Sequence, residues 1–263
     1  MKQFLTYLVI ALFAVSAVSC KKDKDENEKV QLVKTITVSF WQYNEYYDFE
    51  YDAKNRITCV RGKFEGFSFE NPDTLINILY SGDDLTTIER SNSSLKSTNF
   101  VREDNKITVI DERPNCGTII ELNSDGYPIK RSYWQESLNG EIYWDIKTLQ
   151  YSNGNLVSIR WENDLSDLES YKYDNKKSPF YYCKTPKWFH ICFIVMFEGV
   201  DYGLFRSIKN NLIEDIYRGK DEGVTHETIG TWVYEYDENG FPITGYRKVN
   251  TADADINYTF TYY

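Results

Sequence analysis

The sequence predicts an all-β fold, an antiparallel meander of hairpins whose sheet is curved or rolled, and three observations carry the prediction. Apolar and polar residues alternate with period two along most of the chain, one hairpin-like phrase recurs, and the residues between alternating runs are those that tight turns need. The chain has 22 tyrosines, and aromatics make up 16% of it. That composition suits pleated, half-buried surfaces, because tyrosine joins an apolar ring to a polar tip.

In chain order, residues 1–19 read as a signal peptide. Lys2 gives a positive start, the run from Phe4 to Val15 is apolar except for Thr6, and Ala17, Val18 and Ser19 lead into Cys20. A membrane-spanning helix needs about 20 apolar residues, so this run is too short to be one. The arrangement resembles the lipobox of bacterial lipoproteins, with Ala17 where Leu is common. That resemblance implies cleavage before Cys20 and acylation of it; an ordinary secretory signal followed by an incidental cysteine is the competing reading. Each buried methylene contributes about 0.8 kcal/mol, so two or three acyl chains hold a protein at a membrane it does not span. Residues 20–29 continue as KKDKDENEK after the cysteine, with nothing apolar to bury, and form a flexible tether. Their acidic residues resemble the signal that takes Bacteroidota lipoproteins to the outer face of the outer membrane, and a plain solvated linker fits them equally well.

Residues 30–263 then form a single β-repeat domain, a size that all-β chains commonly reach without dividing. The recurring phrase is an aromatic-rich alternating run, then Tyr with Asp or Ser, a short polar turn, and a second alternating run. It stands as YDAKNRITCV from Tyr51, YSGDDLTTIE from Tyr80, YSNGNLVSIRW from Tyr151 and YDENGFPITGYRKV from Tyr236. LNSDGYPIKRSYW from Leu122 carries Leu for Tyr, and FVREDNKITVI from Phe100 is a more distant copy. Asp or Ser at the turn entry accepts from backbone amides further on, and Asn or Gly takes the positive φ that tight hairpins require. After Asn153 and Gly154, alternation places Val157, Ile159 and Trp161 on one face and Ser158 and Arg160 on the other. Lone hairpins are marginal in water, so the units stack edge to edge.

Residues 176–211 break the pattern. They hold a dense apolar run at Ile191 to Phe197 that fits either a buried strand or a short helix, and they are expected to cross one face of the sheet. The segments YDNKKSPF from Tyr173, SIKNNLIEDI from Ser207 and YEYDENGFPI from Tyr234 follow one another as in uncharacterised Bacteroidota lipoproteins with Tyr-Asp hairpin repeats. The chain resembles that group over residues 30–263, and through its repeats is distantly similar to the YD-repeat shells of Rhs and teneurin proteins. What this implies is architecture; the shared motifs are turns and carry no ligand or catalytic residues.

The formal charge of −10 becomes one unit more negative once Lys2 leaves with residues 1–19, which disfavours nucleic acid and anionic head groups as partners. Cys59, Cys116, Cys183 and Cys192 remain in the mature chain. In an oxidising compartment they allow three pairings, and Cys183 with Cys192 is the candidate disulfide, bridging adjacent strands around the KTPKWFH loop. Cys183, His190 and Cys192 do not have zinc spacing, so no metal and no cofactor is expected. His190 and His226 are the two histidines; His226 in GVTHETIG lacks a second histidine four residues on, and His190, beside Trp188 and Phe189, reads as a packed residue.

Hydrolase-elbow, phosphate-loop and Cys-x-x-Cys signatures are absent from the sequence, and no catalytic residue can be named. Two acids of a glycan hydrolase could sit among the 40 carboxylates, but turns account for many of them, including Asp52, Asp83, Asp84, Asp125, Asp174 and Asp237. Asp253 and Asp255 alternate in NTADADIN and read as charges guarding a solvated sheet edge, or as a calcium site. Exposed aromatics are the remaining candidates: Tyr43, Tyr46, Tyr133, Trp134 and Trp144, with Tyr47 and Tyr143 beside them, form either a surface that stacks on sugar rings or cross-strand ladders. The reading is therefore a lipid-anchored outer-membrane protein, exposed at the cell surface, with a non-catalytic binding or scaffolding role. Its ligand is expected to be a glycan or an envelope protein, the alternative is a carboxylate-dependent glycan hydrolase, and oligomeric state is left open.

Overall fold

The structure, a computed structural model, describes residues 29–41, 43–65, 74–91, 96–111, 113, 115–163, 167–192, 206–221, 224–251 and 255–263. Residues 1–19, expected to be a signal peptide, Cys20 and most of the expected tether lie outside the described residues. Gln31–Tyr263 forms one compact unit. Its strands are β1 (Val33–Phe40), β2 (Tyr43–Tyr51), β3 (Ile57–Glu65), β4 (Thr74–Ser81), β5 (Asp84–Arg90), β6 (Ser97–Glu103), β7 (Lys106–Asp111), β8 (Cys116–Leu122), β9 (Pro128–Glu136), β10 (Ile142–Ser152), β11 (Asn155–Trp161) and β12 (Leu168–Lys177). A short helix, α1 (Lys187–Cys192), precedes β13 (Asn210–Asp221), β14 (Val224–Tyr236), β15 (Pro242–Val249) and β16 (Ile256–Tyr262). The strands pair antiparallel in sequence order and β16 returns to pair with β1, so the meander closes into a sixteen-strand barrel.

The repeated phrase builds one end of that barrel. In three of its turns a single Oδ1 accepts two backbone amides: Asp52 from Lys54 and Arg56, Asn123 from Asp125 and Tyr127, Asp237 from Asn239 and Phe241. Each turn then passes through positive φ three residues after the cap, at Asn55, Gly126 and Gly240. Beyond the turn comes a bulge: Glu50 faces Cys59 while Tyr51 faces Ile57, leaving Thr58 unpaired in register, and the same slip recurs at Thr86, Ile129, Val157 and Ile243. The bulge corrects the alternation expected after Gly154. Ile159 and Trp161 do face inward opposite Leu149 and Lys147, but Leu156 takes the next inward place and Val157 is the bulged residue.

Tyrosines tie neighbouring hairpins together at this end. Tyr80 donates to the carbonyl of Ile57 (2.9 Å), Tyr151 to Pro128 (2.7 Å) and Tyr262 to Pro242 (2.8 Å), each accepting carbonyl belonging to the first residue of the strand alongside. Their rings pack on the apolar core inside the barrel.

The excursion is inserted in a further copy of the hairpin. Asp174 receives the amides of Lys176 and Asn211, and Tyr173 faces Leu212 with the same slip of register. It plugs the turn end from inside. Lys177 N–H bonds to Gly240 O, Lys184 N–H to Asn55 O, Lys187 Nζ to Asp125 O and Lys209 Nζ to Asn153 O, so four different turns hold it. Phe180 meets Phe49 edge-on, and Trp188 and Phe189 pack on Phe100. Pro186 accepts the amides of Phe189 and His190 and starts α1, so Ile191 and Cys192 are helical; residues 193–197 of the expected apolar run lie outside the described residues.

Two expectations are corrected here. The segment between Cys183 and Cys192 is a turn and a helix instead of a loop joining adjacent strands, and both thiols are free: Cys183 lies by Thr185, while Cys192 ends the helix. A guarded sheet edge near Asp255 does not exist either, because β16 is paired on both sides; Asp255 approaches Lys248 at 3.9 Å, and Asp253 lies outside the described residues.

Burial pushes the phenols of Tyr51, Tyr80, Tyr151, Tyr171, Tyr173 and Tyr262 above their ordinary range. The folded chain keeps these protons while the unfolded chain releases them above about pH 10. Stability is therefore intact below about pH 10 and falls above it, by about 1.4 kcal/mol per pH unit for each such tyrosine. Titration is expected to show most tyrosinate absorbance arising in one cooperative step that coincides with loss of β circular dichroism, and gradual ionisation with the fold intact would contradict it.

Candidate functional site

The barrel wall carries many polar and charged residues on its outside. Thr35, Thr37, Asp48, Arg61, Lys63, Asn77, Glu89, Lys172 and Glu214 point outward, while Ile36, Val38, Tyr47, Phe49, Val60, Ile76 and Ile88 point into the core. A lipid-facing barrel needs an outward apolar band, and Lys or Arg at its midplane costs about 2–4 kcal/mol each. The described wall sets such charges beside outward apolar residues that include Val101, Ile110, Ile142, Trp144 and Val233. Among the described residues no helix is long and apolar enough to cross a membrane.

Inside, the two halves differ. Along β2 the inward residues remain sealed toward the end away from the plug: Phe49, Tyr47 and then Glu45, a buried carboxylate that accepts hydrogen bonds from Tyr43 and Tyr47. Along β10 the inward side chains open progressively, from Leu149 (7% exposed) through Lys147 (22%) and Asp145 (26%) to Tyr143 (62%). Among the described residues the lumen is thus plugged at the turn end, and along β10 its side chains grow more exposed toward the other.

The open side is lined by charged and aromatic groups brought together from several strands and the plug. Arg131, Tyr133, Asp145, Lys147 and Trp161 share adjacent inward positions on β9, β10 and β11. Glu169 on β12 binds Arg206, which returns from the plug, at 2.6 Å, and both groups meet the Tyr171 hydroxyl. Lys147 stands 4.2 Å over the Trp161 ring and 3.8 Å from Asp145. Burial lowers the Lys147 pKa, and Arg131 and Arg206 push in the same direction. Burial raises the Cys192 thiol to about 11, and Arg131, Arg206 and Lys147 pull it the other way.

Further round, Asp215 and Arg247 pair at 3.1 Å across β14, directly over Gly230. A Cβ at Gly230 would lie 2.0 Å from Asp215 Oδ1 and 2.7 Å from Arg247 Nε. Glycine is what gives this ion pair its room. Gly230→Ala is expected to cost about 1–3 kcal/mol in urea unfolding by overpacking, and the loss should shrink when Asp215→Ala is added. Independent, additive effects would refute the contact.

The sequence candidates divide between the two faces. Tyr133 points into the lumen, and Tyr43 points inward but is committed to Glu45. Tyr46 is outside, donating to Glu65 at 3.1 Å. Trp134 and Trp144 are cross-strand partners on the outer wall, with Trp134 lying over Gly117, so the ladder arrangement accounts for them. His190 is buried with its ring 4.5 Å from Phe180, and His226 lies exposed on β14. Sequence reasoning missed Arg131, Lys147, Trp161, Glu169, Arg206, Asp215 and Arg247. Among the described residues no group of three or more His, Cys, Asp or Glu is placed to hold a metal.

A pocket of about 500 Å³ opens on the plug's outer side, lined by residues that include Arg102, Tyr127, Cys183 and Lys187. Three of its cations are already engaged: Arg102 with Asp84, Lys187 with Asp125 O and the Tyr127 ring, and Lys209 with Asn153 O. The luminal group is the better candidate.

No protein-family model and no curated protein matches the chain. Among solved structures it is similar to a porin-like protein from Bacteroides uniformis, at 13% identity over 88% of this chain and 96% of that one, with a TM-score of 0.41. It is also similar to a porin-like protein from Bacteroides vulgatus, at 11% identity over 89% of this chain and 99% of that one, with a TM-score of 0.38.

Proposed function

We propose that this is a lipid-anchored, non-catalytic binding protein of the outer membrane, displayed at the cell surface, which takes a glycan into the open half of its barrel. The observation that carries the reading is a lumen closed at one end by the plug and lined at the other by Tyr133, Trp161 and Tyr217 among charged groups. Aromatic faces and paired charges suit sugar rings and hydroxyls, and they stand on strands that hold them in place. Asp145, Glu169 and Asp215 each have a cation beside them, which fits a role in structure and recognition better than in general acid chemistry.

The charges on the outer wall fit a barrel held by a lipid anchor beside the bilayer. The chain joins the barrel at the plugged end, where Gln31 bonds Asp237 and Leu32 O accepts from Tyr263 N–H. The mouth lies at the opposite end of the barrel.

In affinity gels containing a panel of polysaccharides, the purified protein should be retarded without release of reducing ends. Trp161→Ala should weaken retardation while Tyr46→Ala, on the outer wall, leaves it unchanged. Turnover would replace the binding role with hydrolysis, and no retardation by any polysaccharide would remove the glycan. For the anchor, cells fed a labelled fatty acid should label the wild-type protein and not Cys20→Ala, and equal labelling of the two would overturn lipidation at that residue.

A further inference from the structure

We infer that the lumen holds an anion-recognition site centred on Arg131, and that the glycan it takes is acidic, bearing a carboxylate or sulfate group. The site itself follows from luminal geometry; the sugar attached to the anion rests on the glycan reading above.

The argument is one of unbalanced charge. Of the cations on this side of the lumen, Arg206 is paired with Glu169 at 2.6 Å, and Lys147 has Asp145 at 3.8 Å and the Trp161 ring at 4.2 Å. Among the described residues Arg131 has no hydrogen-bond or ion-pair partner, and its Nε is shut off from solvent. It projects inward between Ile120 and Lys147, the first fully buried and apolar and the second a like charge. A half-buried guanidinium without a counter-ion is costly, and replacing it with an apolar side chain would remove that cost. Its place is consistent with an anion that arrives from outside.

Geometry narrows the anion. Arg offers a planar fork of donors that matches carboxylate and sulfate oxygens, and Lys147 adds a second charge from the adjacent strand. Trp161 lies across β10 from Arg131, opposite Lys147, and Tyr133 is two residues further toward the mouth. An anionic substituent at Arg131 leaves its ring between these aromatic faces. Asp145 and Glu169 limit the site to one or two negative groups, since each further anion would meet a carboxylate.

Calorimetry on the purified protein tests this with three probes: a uronic-acid oligosaccharide, its neutral counterpart of the same length, and inorganic sulfate. The acidic oligosaccharide should bind roughly tenfold or more tighter than the neutral one at low salt. Arg131→Gln should erase the preference and Arg131→Lys restore part of it. Unliganded Arg131→Leu should melt no lower than wild type, whereas a purely structural arginine would melt lower when removed. Equal binding of the two oligosaccharides, or a preference untouched by Arg131→Gln, overturns the anion site and leaves glycan binding standing. Sulfate raising the melting temperature of wild type but not of Arg131→Gln, with no oligosaccharide bound, upholds the anion site and removes the glycan. Should the Arg131 variants fail to fold, Lys147→Met must lower the acidic preference, and an unchanged preference there counts against the site.

Discussion

Closing sixteen strands into one ring creates a lumen that must be filled. At this strand number a barrel is wide enough to hold an aqueous channel. Here the buried apolar residues face the interior, and aliphatic side chains from the wall do not reach across it. Two devices supply the missing volume. Large aromatic side chains project inward at the turn end, and an excursion from one hairpin brings Phe180, Trp188, Phe189 and Ile191 inside. Part of the tyrosine content that first suggested pleated surfaces follows from this need: the rings of Tyr80, Tyr151 and Tyr262 pack on the core inside the barrel, and their hydroxyls end on backbone carbonyls of the neighbouring strand.

The plug also explains how its own polar backbone is tolerated indoors. An irregular segment inside a barrel carries amides and carbonyls that wall side chains cannot satisfy. The recurring turns offer their own free carbonyls: those of Asn55 and Gly240 accept backbone amides of the plug, from Lys184 and Lys177, and those of Asp125 and Asn153 accept its ammonium groups, from Lys187 and Lys209. Repetition in the wall thus provides repeated docking points, and the break in the repeat is held by the repeat.

Turn chemistry was legible in the sequence because it is local. Asp52, Asn123 and Asp237 cap their turns through atoms two and four residues away, and Asn55, Gly126 and Gly240 mark the positive φ that follows. Closure was not, since pairing of β1 with β16 is a contact between distant residues with no local signature. Nor was α1, whose six residues are too few to display a helical period. The site was hidden by its chemistry. Period two sets Ile129, Arg131 and Tyr133 on one face, and the bulge turns only Ile129 outward while Arg131 and Tyr133 point into the barrel. A charged residue on such a strand passes for an ordinary surface residue, because alternation does not tell a polar lumen from solvent.

The uneven lumen bears on function through energetics. On the β2 side even a carboxylate, Glu45, is sealed by tyrosine donors, which shows that this fold can bury a charge fully satisfied. On the β9–β15 side Asp215 with Arg247 and Glu169 with Arg206 are likewise paired, at the expense of the side chain at Gly230. Arg131 stands out against that background because the surrounding wall solves the same problem elsewhere. Buried ion pairs contribute little to stability compared with apolar packing of similar volume. Two such pairs and a guanidinium unmatched among the described residues, in one half of a barrel, are therefore hard to account for as devices for folding. They are consistent with a cavity whose polarity is set by what enters it.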